Sequence, residues 1–426
     1  MSSIFIQIAS YRDQELLPTI RDCIKKSSSN HQLSFGIVWQ KDDTESLEEF
    51  TNDPRFKIID IPWQKSKGLG HARSLTQSLY SGEDYTLQID SHHRFAPSWD
   101  QGLIDMMVLT SSQSDKPLLT AYAGGYDPLN DTVLNPSPCK VLPHDFKSSG
   151  TIWFNPVHIS NYQSLSFPLR ARLVSGHYFF TLGIHCKEYV YDPDLYFAGD
   201  EIALSVRSYT LGYDLYHPHI CYVWHFYGRH DKVKHWCDHT DQNKSGGQVE
   251  MSWGDRDIIS KKRIRQLLGE EDNNIDLGVY GCGNVRSLGD YEKYAGFDFK
   301  NRRIHSCAIR GDEPPVIYEN EIDYENAFKK TTPININDWP IDKYLEDNSR
   351  VDSVKVDFSN LGQRSIYSEN ISVDKIRSFT DKMLKMKVVA DSVPMKVTII
   401  ALDSGGIEIP EVARWERDLG ANIHWN

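Results

Sequence analysis

The stretch YTLQIDSHHRF, residues 85–95, runs a strand pattern into an acid and two histidines. On a strand, residues i and i+2 point to one face, so this pattern sets Asp90 beside His92 and turns His93 away. A carboxylate oxygen and an imidazole nitrogen together suit Mn2+ or a similar divalent cation. An ion held there would neutralise a departing diphosphate, the chemistry of nucleotide-sugar transfer. The same letters are also those of a capping Asp followed by a surface His, so the tripeptide needs its context.

The elements that would position it are legible on both sides. SIFIQIAS (3–10) alternates as a strand, and DQELLPTIRDCIKKS (13–27) has helical spacing. LSFGIVWQ (33–40) and RFKIIDIPW (55–63) read as strands, GHARSLTQSLY (70–80) as a helix, and YTLQID (85–90) as the fourth strand. Strands alternating with helices imply an α/β protein with a mostly parallel sheet. Ligands of such sheets bind beyond the carboxyl ends of the strands, where Asp90 to His93 stand. Residues 124–150 are dense in Pro, Gly, Asn and Ser and are expected to form a long loop. RARLVSGHYFFT (170–181) returns to strand character, DEIALSVRSYTLG (200–212) to a helix ended by Gly212, and 213–229 to a further strand. DRDIISKKRIRQLLG (255–269) is a basic helix, fitting either an acidic acceptor or a solvated face.

Composition bounds the rest. At 426 residues the chain exceeds one ordinary core, and two domains are expected, 1–310 and 311–426. Past 310 the sequence turns acidic and Pro-containing, and VDSVKVDF, MLKMKVVA and MKVTIIALD read as strands of a smaller α+β unit. The net charge of −12 argues against a nucleic-acid groove across the whole surface. The seven cysteines form no CxxC pair, so reduced, buried thiols are expected rather than a zinc site or a disulfide framework. The N-terminus lacks a secretory pattern, and no run reaches the roughly 18–20 apolar residues of a membrane helix. A soluble, cytoplasmic protein without a membrane partner is expected.

Residues 67–104, KGLGHARSLTQSLYSGEDYTLQIDSHHRFAPSWDQGLI, closely resemble the segment around Asp-Ser-His in an N-acetylglucosaminyltransferase family. That family includes the Skp1 hydroxyproline glycosyltransferases. IFIQIASYRDQELLPTIRD, RARLVSGHYFF, YVYDPDLYFAGDEIALSVRSYTLGYDLYHPHICYVWHFYGR and YGCGNVRSLGDYEKYAGFDF resemble its other blocks. The resemblance covers about residues 4–303. It implies a GT-A nucleotide-sugar-binding fold, with a metal motif similar to that of the polypeptide N-acetylgalactosaminyltransferases. It also implies a UDP-sugar donor, UDP-GlcNAc being favoured, Mn2+ or another divalent cation, and retention of configuration at the transferred sugar.

Site residues follow from the resemblance. Asp90 and His92 match the Asp-x-His pair, and His225 matches the third ligand, with His217, His219 and His230 as competitors. Arg73, beyond a Gly-rich turn, fits either the diphosphate or the surface of an amphipathic helix, while Arg12 fits either a donor contact or a helix-entry role. Asp200 matches the first acid of a Gly-Glu-Glu block that grips sugar hydroxyls, with Glu201 beside it, while acids at a helix start also serve as caps or dipole partners. Asp where the pattern often has Glu leaves the sugar's identity open. His177 stands where the family does not lead one to expect His, and fits either a contact to the acceptor or the diphosphate or a structural polar residue. The acceptor is a hydroxyl on a protein, a glycan or another polymer, and the C-terminal unit either selects it or mediates self-association into a homo-oligomer. Two readings compete: a nucleotide-sugar-binding module without catalysis, and a hydrolase with Asp200 and Glu201 as its acid/base pair.

Overall fold

A computed structural model describes residues 1–147, 151–229, 232–272, 274–315, 317–318, 320–336, 350–360, 363, 365–377, 384–390, 394–410, 412 and 414–419. The chain divides into two compact units. One is Met1–Arg302 with Cys307–Val316, and the other is Arg303–Ser306 with Ile317–Asn426.

The first unit opens as β1 (Ser3–Tyr11), α1 (Leu16–Lys26), β2 (Gln32–Lys41), β3 (Phe56–Pro62), α2 (Leu69–Ser78) and β4 (Tyr85–Asp90). β5 (His93–Phe95), α3 (Trp99–Thr110), β6 (Pro117–Thr120), β7 (Gly124–Asp127), β8 (Thr132–Val133), β9 (Cys139–Phe146) and β10 (Ile152–His158) follow. Then come β11 (Leu169–Arg170), β12 (Tyr178–Leu182), α4 (His185–Glu188), α5 (Asp200–Thr210), β13 (Asp214–His217) and β14 (Val223–His225). α1 buries Leu16, Ile20 and Cys23 at i, i+4 and i+7, tolerates Pro18 in its first turn, and ends on Lys25 and Lys26, which suit the negative end of its dipole.

Eight strands form the main sheet in the order β11-β13-β6-β12-β4-β1-β2-β3. β3, β2, β1 and β4 run parallel, and β12 runs antiparallel between β4 and β6. The parallel strands are buried by near-continuous apolar runs such as Ile4–Ile6 and Phe35–Val38, as sheets covered on both faces require. Phe35 stacks on its register partner Phe56 at 4.5 Å, a cross-strand aromatic pair. A second sheet, β5-β14-β7-β8, stands at the carboxyl end of β4.

The alternation of strands and helices up to β4 is as the sequence predicts. Three expectations are corrected. Residues 171–177 are not strand; only Leu169–Arg170 and Tyr178–Leu182 pair. The Ser175–Gly176 backbone is instead spent on side chains, with Ser175 N–H donating to Thr120 Oγ1 and Gly176 N–H to Glu201 Oε1. The expected loop 124–150 contains β7, β8 and β9, and β9 makes an antiparallel pair with β10. The single strand expected in 213–229 is two, β13 and β14.

The second unit is described by itself. Ser353–Ser359 lies between Ser365–Ser372 and Lys396–Leu402 in an antiparallel sheet, with Trp415–Asp418 outside the latter. Val354, Val356 and Phe358 alternate inward to a core shared with Val388 and Ile399. Phe328–Ile336 pairs with Arg303–His305 and with Leu384–Ala390.

Candidate active site

Topology brings distant residues to the end of β4. Asp90 is its last residue, paired with Ala9 of β1. The chain bends at Ser91 and His92 and resumes as β5, and β14 pairs antiparallel to it with His225 opposite His93. β12 pairs Tyr178 with Ile89, so Gly176 and His177 arrive beside Asp90. Asp90 Oδ2 is 3.8 Å from His92 Nε2 and 3.8 Å from His225 Nε2. One ligand atom from each of the three lies within 4.8 Å of the others. With metal–ligand bonds of about 2.0–2.2 Å, donors around one ion lie about 3 to 4.4 Å apart. The two 3.8 Å spacings fit that range. Burial lowers the His225 imidazole to about 3, so it stands neutral with a lone pair to offer. Burial acts to raise the Asp90 carboxyl, but His225, His92 and Arg73 outweigh it and hold it well below the usual range. A carboxylate and two imidazole nitrogens are a set fit for a divalent cation.

His92 reaches Asp90 through the bend and not through strand alternation, because β4 stops at Asp90. His93 therefore does not leave the neighbourhood: its ring is 4.9 Å from that of His225, and its Nδ1 lies 3.1 Å from the Asp90 carbonyl oxygen. Asp13, 79 residues before His92 and without an expected role, is buried against it. Its Oδ2 takes His92 Nδ1 at 2.8 Å, Ser91 Oγ at 2.5 Å and an Arg229 nitrogen at 2.9 Å. Burial works to raise this carboxyl, yet His92, Arg229 and Ser91 bring it down to about 2.

The opposite wall carries the acid pair. Gly199, at a φ of 95° that favours glycine, turns the chain into α5, whose first residues are Asp200 and Glu201. Asp200 is buried with both oxygens engaged: Arg73 donates to Oδ2 at 2.5 Å and Tyr191 Oη to Oδ1. Arg73 also donates to Asp90 Oδ1 at 3.2 Å and to the Gly176 carbonyl at 2.6 Å, so it ties the acid pair to the trio. A Cβ on Gly176 would lie 3.0 Å from Asp200 Oδ2 and 3.2 Å from Arg73 Nη1, so a side chain there would press on the buried pair. Glu201 accepts from Gly176 N–H at 3.0 Å and from Tyr122 Oη at 2.8 Å. Burial outweighs both bonds and raises its carboxyl to about 7.

Trio, Arg73, His177, Asp200 and Glu201 line one cavity of about 420 Å³. The family model for glycosyltransferase (GlcNAc) matches residues 3–51 and 44–301, most of the chain and every residue of this cavity. The chain belongs to the glycosyltransferase (GlcNAc) family. No curated protein matches it. Distantly similar solved structures include GalNAc-T7 with UDP, GalNAc and Mn2+, at 16% identity and TM-score 0.42, covering 68% of this chain and 54% of that one. The chain thus spans about half the length of that protein. Residues 1–349 of S. aureus TarS in complex with UDP-GlcNAc match at 11% identity and TM-score 0.35, covering 64% and 74%. S. aureus TarS matches at 10% identity and TM-score 0.35, covering 98% and 77%.

In this member of the family the expected residues fall into three groups. Asp90, His92 and His225 converge. Of the competing histidines, His217 is turned to the Thr120 carbonyl at 2.8 Å, His219 is not in the cluster, and His230 lies outside the described residues. Arg73, Asp200, Glu201 and His177 share the cavity, and both His177 nitrogens meet protein partners, Ala123 N–H at 3.1 Å and Ser175 Oγ at 3.1 Å. Arg12 does not line it; it pairs with Asp42 and Asp238 at 2.9 and 2.7 Å, 5.6 Å from the Trp63 ring centroid. Sequence reasoning missed Asp13, Tyr122, Tyr191 and Arg229. Asp13 adjoins the Arg12 that drew attention, but its Oδ1 also accepts from Glu15 N–H just before α1, and a local Asx turn is how a lone Asp after a strand reads. The basic helix Trp253–Leu267 spends Lys261 on Asp257, Arg263 on Asp192 and Arg265 on Glu271. Among the described residues no helix is long and apolar enough to cross a membrane.

The Arg73–Asp200 pair carries a stability prediction. Breaking a buried ion pair from one side costs about 3–5 kcal/mol. Asp90 still faces Arg73, so Asp200→Asn is expected at the low end, about 3 kcal/mol, read as a lowered denaturation midpoint with an unchanged denaturant slope. A midpoint equal to that of the unaltered chain would show that the pair contributes no net stability.

Proposed function

We propose that this enzyme transfers a sugar, GlcNAc from UDP-GlcNAc being favoured, to an acceptor hydroxyl with retention of configuration. Asp90, His92 and His225 would hold Mn2+ or a similar cation. The observation that carries this reading is the meeting of those three side chains, from β4, the following bend and β14, in the cavity that also holds the acid pair. When bound, such an ion supplies positive charge to the diphosphate of the leaving UDP. The acceptor hydroxyl attacks the anomeric carbon on the face that UDP leaves, and its proton passes to the departing phosphate oxygen.

The chain's own part is positioning and electrostatics. Asp200 holds Arg73, and Arg73 holds Asp90, so this buried line fixes the carboxylate of the trio. Glu201 is the carboxylate left to meet a hydroxyl of the sugar or acceptor. His177, with its nitrogens engaged, offers a ring face. The GT-A domain is proposed as residues 1–310, and residues 311–426 as the unit that selects the acceptor or joins copies of the chain. A polypeptide acceptor, as in the Skp1 hydroxyproline type, belongs to the same proposal.

The test is UDP release across a panel of nucleotide sugars, with EDTA and Mn2+ arms. UDP-GlcNAc is expected to give the fastest release. EDTA is expected to end it, and Mn2+ to restore it. Full release from thoroughly chelated enzyme would remove the cation from the reading, and no release with any donor would favour a binding module.

A further inference from the structure

Two residues outside the expected site act on one ligand histidine, His92, through its two ring nitrogens. Asp13 accepts from His92 Nδ1, so the ring's lone pair is at Nε2, the atom facing Asp90. Arg229 Nη1 lies 3.2 Å from that same Nε2, and Arg229 Nη2 pairs with Asp13 Oδ2 at 2.9 Å. A guanidinium has no lone pair, so across the 3.2 Å contact it donates and the imidazole accepts. The only lone pair His92 has for a cation is therefore already taken by a fixed positive charge.

We infer that Asp13 is a positioning residue that prepares His92 as a ligand, and that Arg229 is an internal cation that a bound metal ion must displace from His92 Nε2. This rests on the reading of Asp90, His92 and His225 as a cation site. Carboxylate partners of ligating histidines fix the tautomer and raise ligand basicity. Arg229 opposes the same ligand twice, by occupying the lone pair and by placing a positive charge next to the incoming one. It also draws on the Asp13 charge that supports His92. Displaced, it remains within reach of Asp13, and the site passes from arginine-filled to metal-filled with a positive charge present throughout.

The proposal makes the two halves of one ion pair act in opposite directions. Mn2+ alone is titrated into the full chain without donor, and the free-ion signal is followed by electron paramagnetic resonance. Arg229→Met is expected to tighten Mn2+ binding about tenfold or more. Asp13→Asn is expected to weaken it about 10- to 100-fold. A purely structural role for the pair would move both variants the same way, because each breaks the same bridge. Unchanged or weaker binding in Arg229→Met overturns the inference, as does unchanged binding in Asp13→Asn. Arg229→Gln, which keeps a neutral donor, is the second variant should the first fold poorly, and it too is expected to bind more tightly. Absence of Mn2+ binding by the unaltered chain is a different failure, since it removes the cation site itself.

Discussion

Asp90→Asn is expected to lower sugar transfer by roughly 10³-fold or more, and to abolish Mn2+ binding, while leaving the fold in place. The size follows from what the carboxylate faces. Its Oδ2 is 3.8 Å from both ligand nitrogens and its Oδ1 is 3.2 Å from Arg73. Without its charge the site keeps two imidazoles and two guanidiniums, a set that repels a cation. Removing one preorganised electrostatic group commonly costs 10²–10³-fold, and here the ion would leave with it. The fold survives because Arg73 keeps Asp200 at 2.5 Å, Tyr191 and the Gly176 carbonyl. Transfer kinetics, Mn2+ titration and thermal denaturation of the same preparation separate these effects. Transfer within tenfold of the unaltered enzyme would mean that the trio is not where the donor's diphosphate sits.

The part of this site legible in sequence is the part built from strand ends. β1 to β4 read correctly because each apolar run is bounded by a helix or a turn, and a parallel sheet delivers its carboxyl ends to one edge. Asp90 is read off such an end, and His225 off another strand end matched through the family resemblance. The supports were hidden because their partners come from far along the chain. Asp13 meets His92 across 79 residues, Tyr122 meets Glu201 across 79, and Arg73 meets Asp200 across 127. No local period encodes such pairs. β12 hid its role for a related reason: its composition signals a strand, but its antiparallel insertion between β4 and β6 is a tertiary choice. That insertion carries Gly176 to the point where Arg73, Glu201 and Gln88 all hydrogen-bond to its peptide groups. α3 shows the opposite limit. It buries Trp99, Leu103, Ile104, Met106 and Met107, so much of its circumference is covered that the amphipathic stripe on which a sequence reading depends is faint.

Glu201→Gln is expected to cut transfer by roughly 10²-fold and to erase a pH dependence that the unaltered enzyme should show near 7. Burial raises the Glu201 carboxyl to about 7 against 4.5 in an unfolded chain, even with Gly176 N–H and Tyr122 Oη donating to it. The sign for stability follows from linkage. A carboxyl raised by folding contributes stability that is fully present below pH 4.5 and is lost as pH rises through about 7, because the fold must then bury a charge. The sign for activity runs the other way. A charged carboxylate accepts from a sugar or acceptor hydroxyl more strongly than a neutral one, so kcat/KM should rise through the same window. Gln fills the space without titrating. The variant should therefore be flat in both measurements across pH 5–8, more stable than the unaltered enzyme at pH 8 and far less active there. Site and fold thus compete at one residue, a cost in stability accepted where a charge is needed. Should Glu201→Gln keep the inflection near pH 7, another group titrates there. Should it keep full activity, Glu201 serves only to hold Gly176 and Tyr122, and the hydroxyl contact falls to the side chains of the opposite wall.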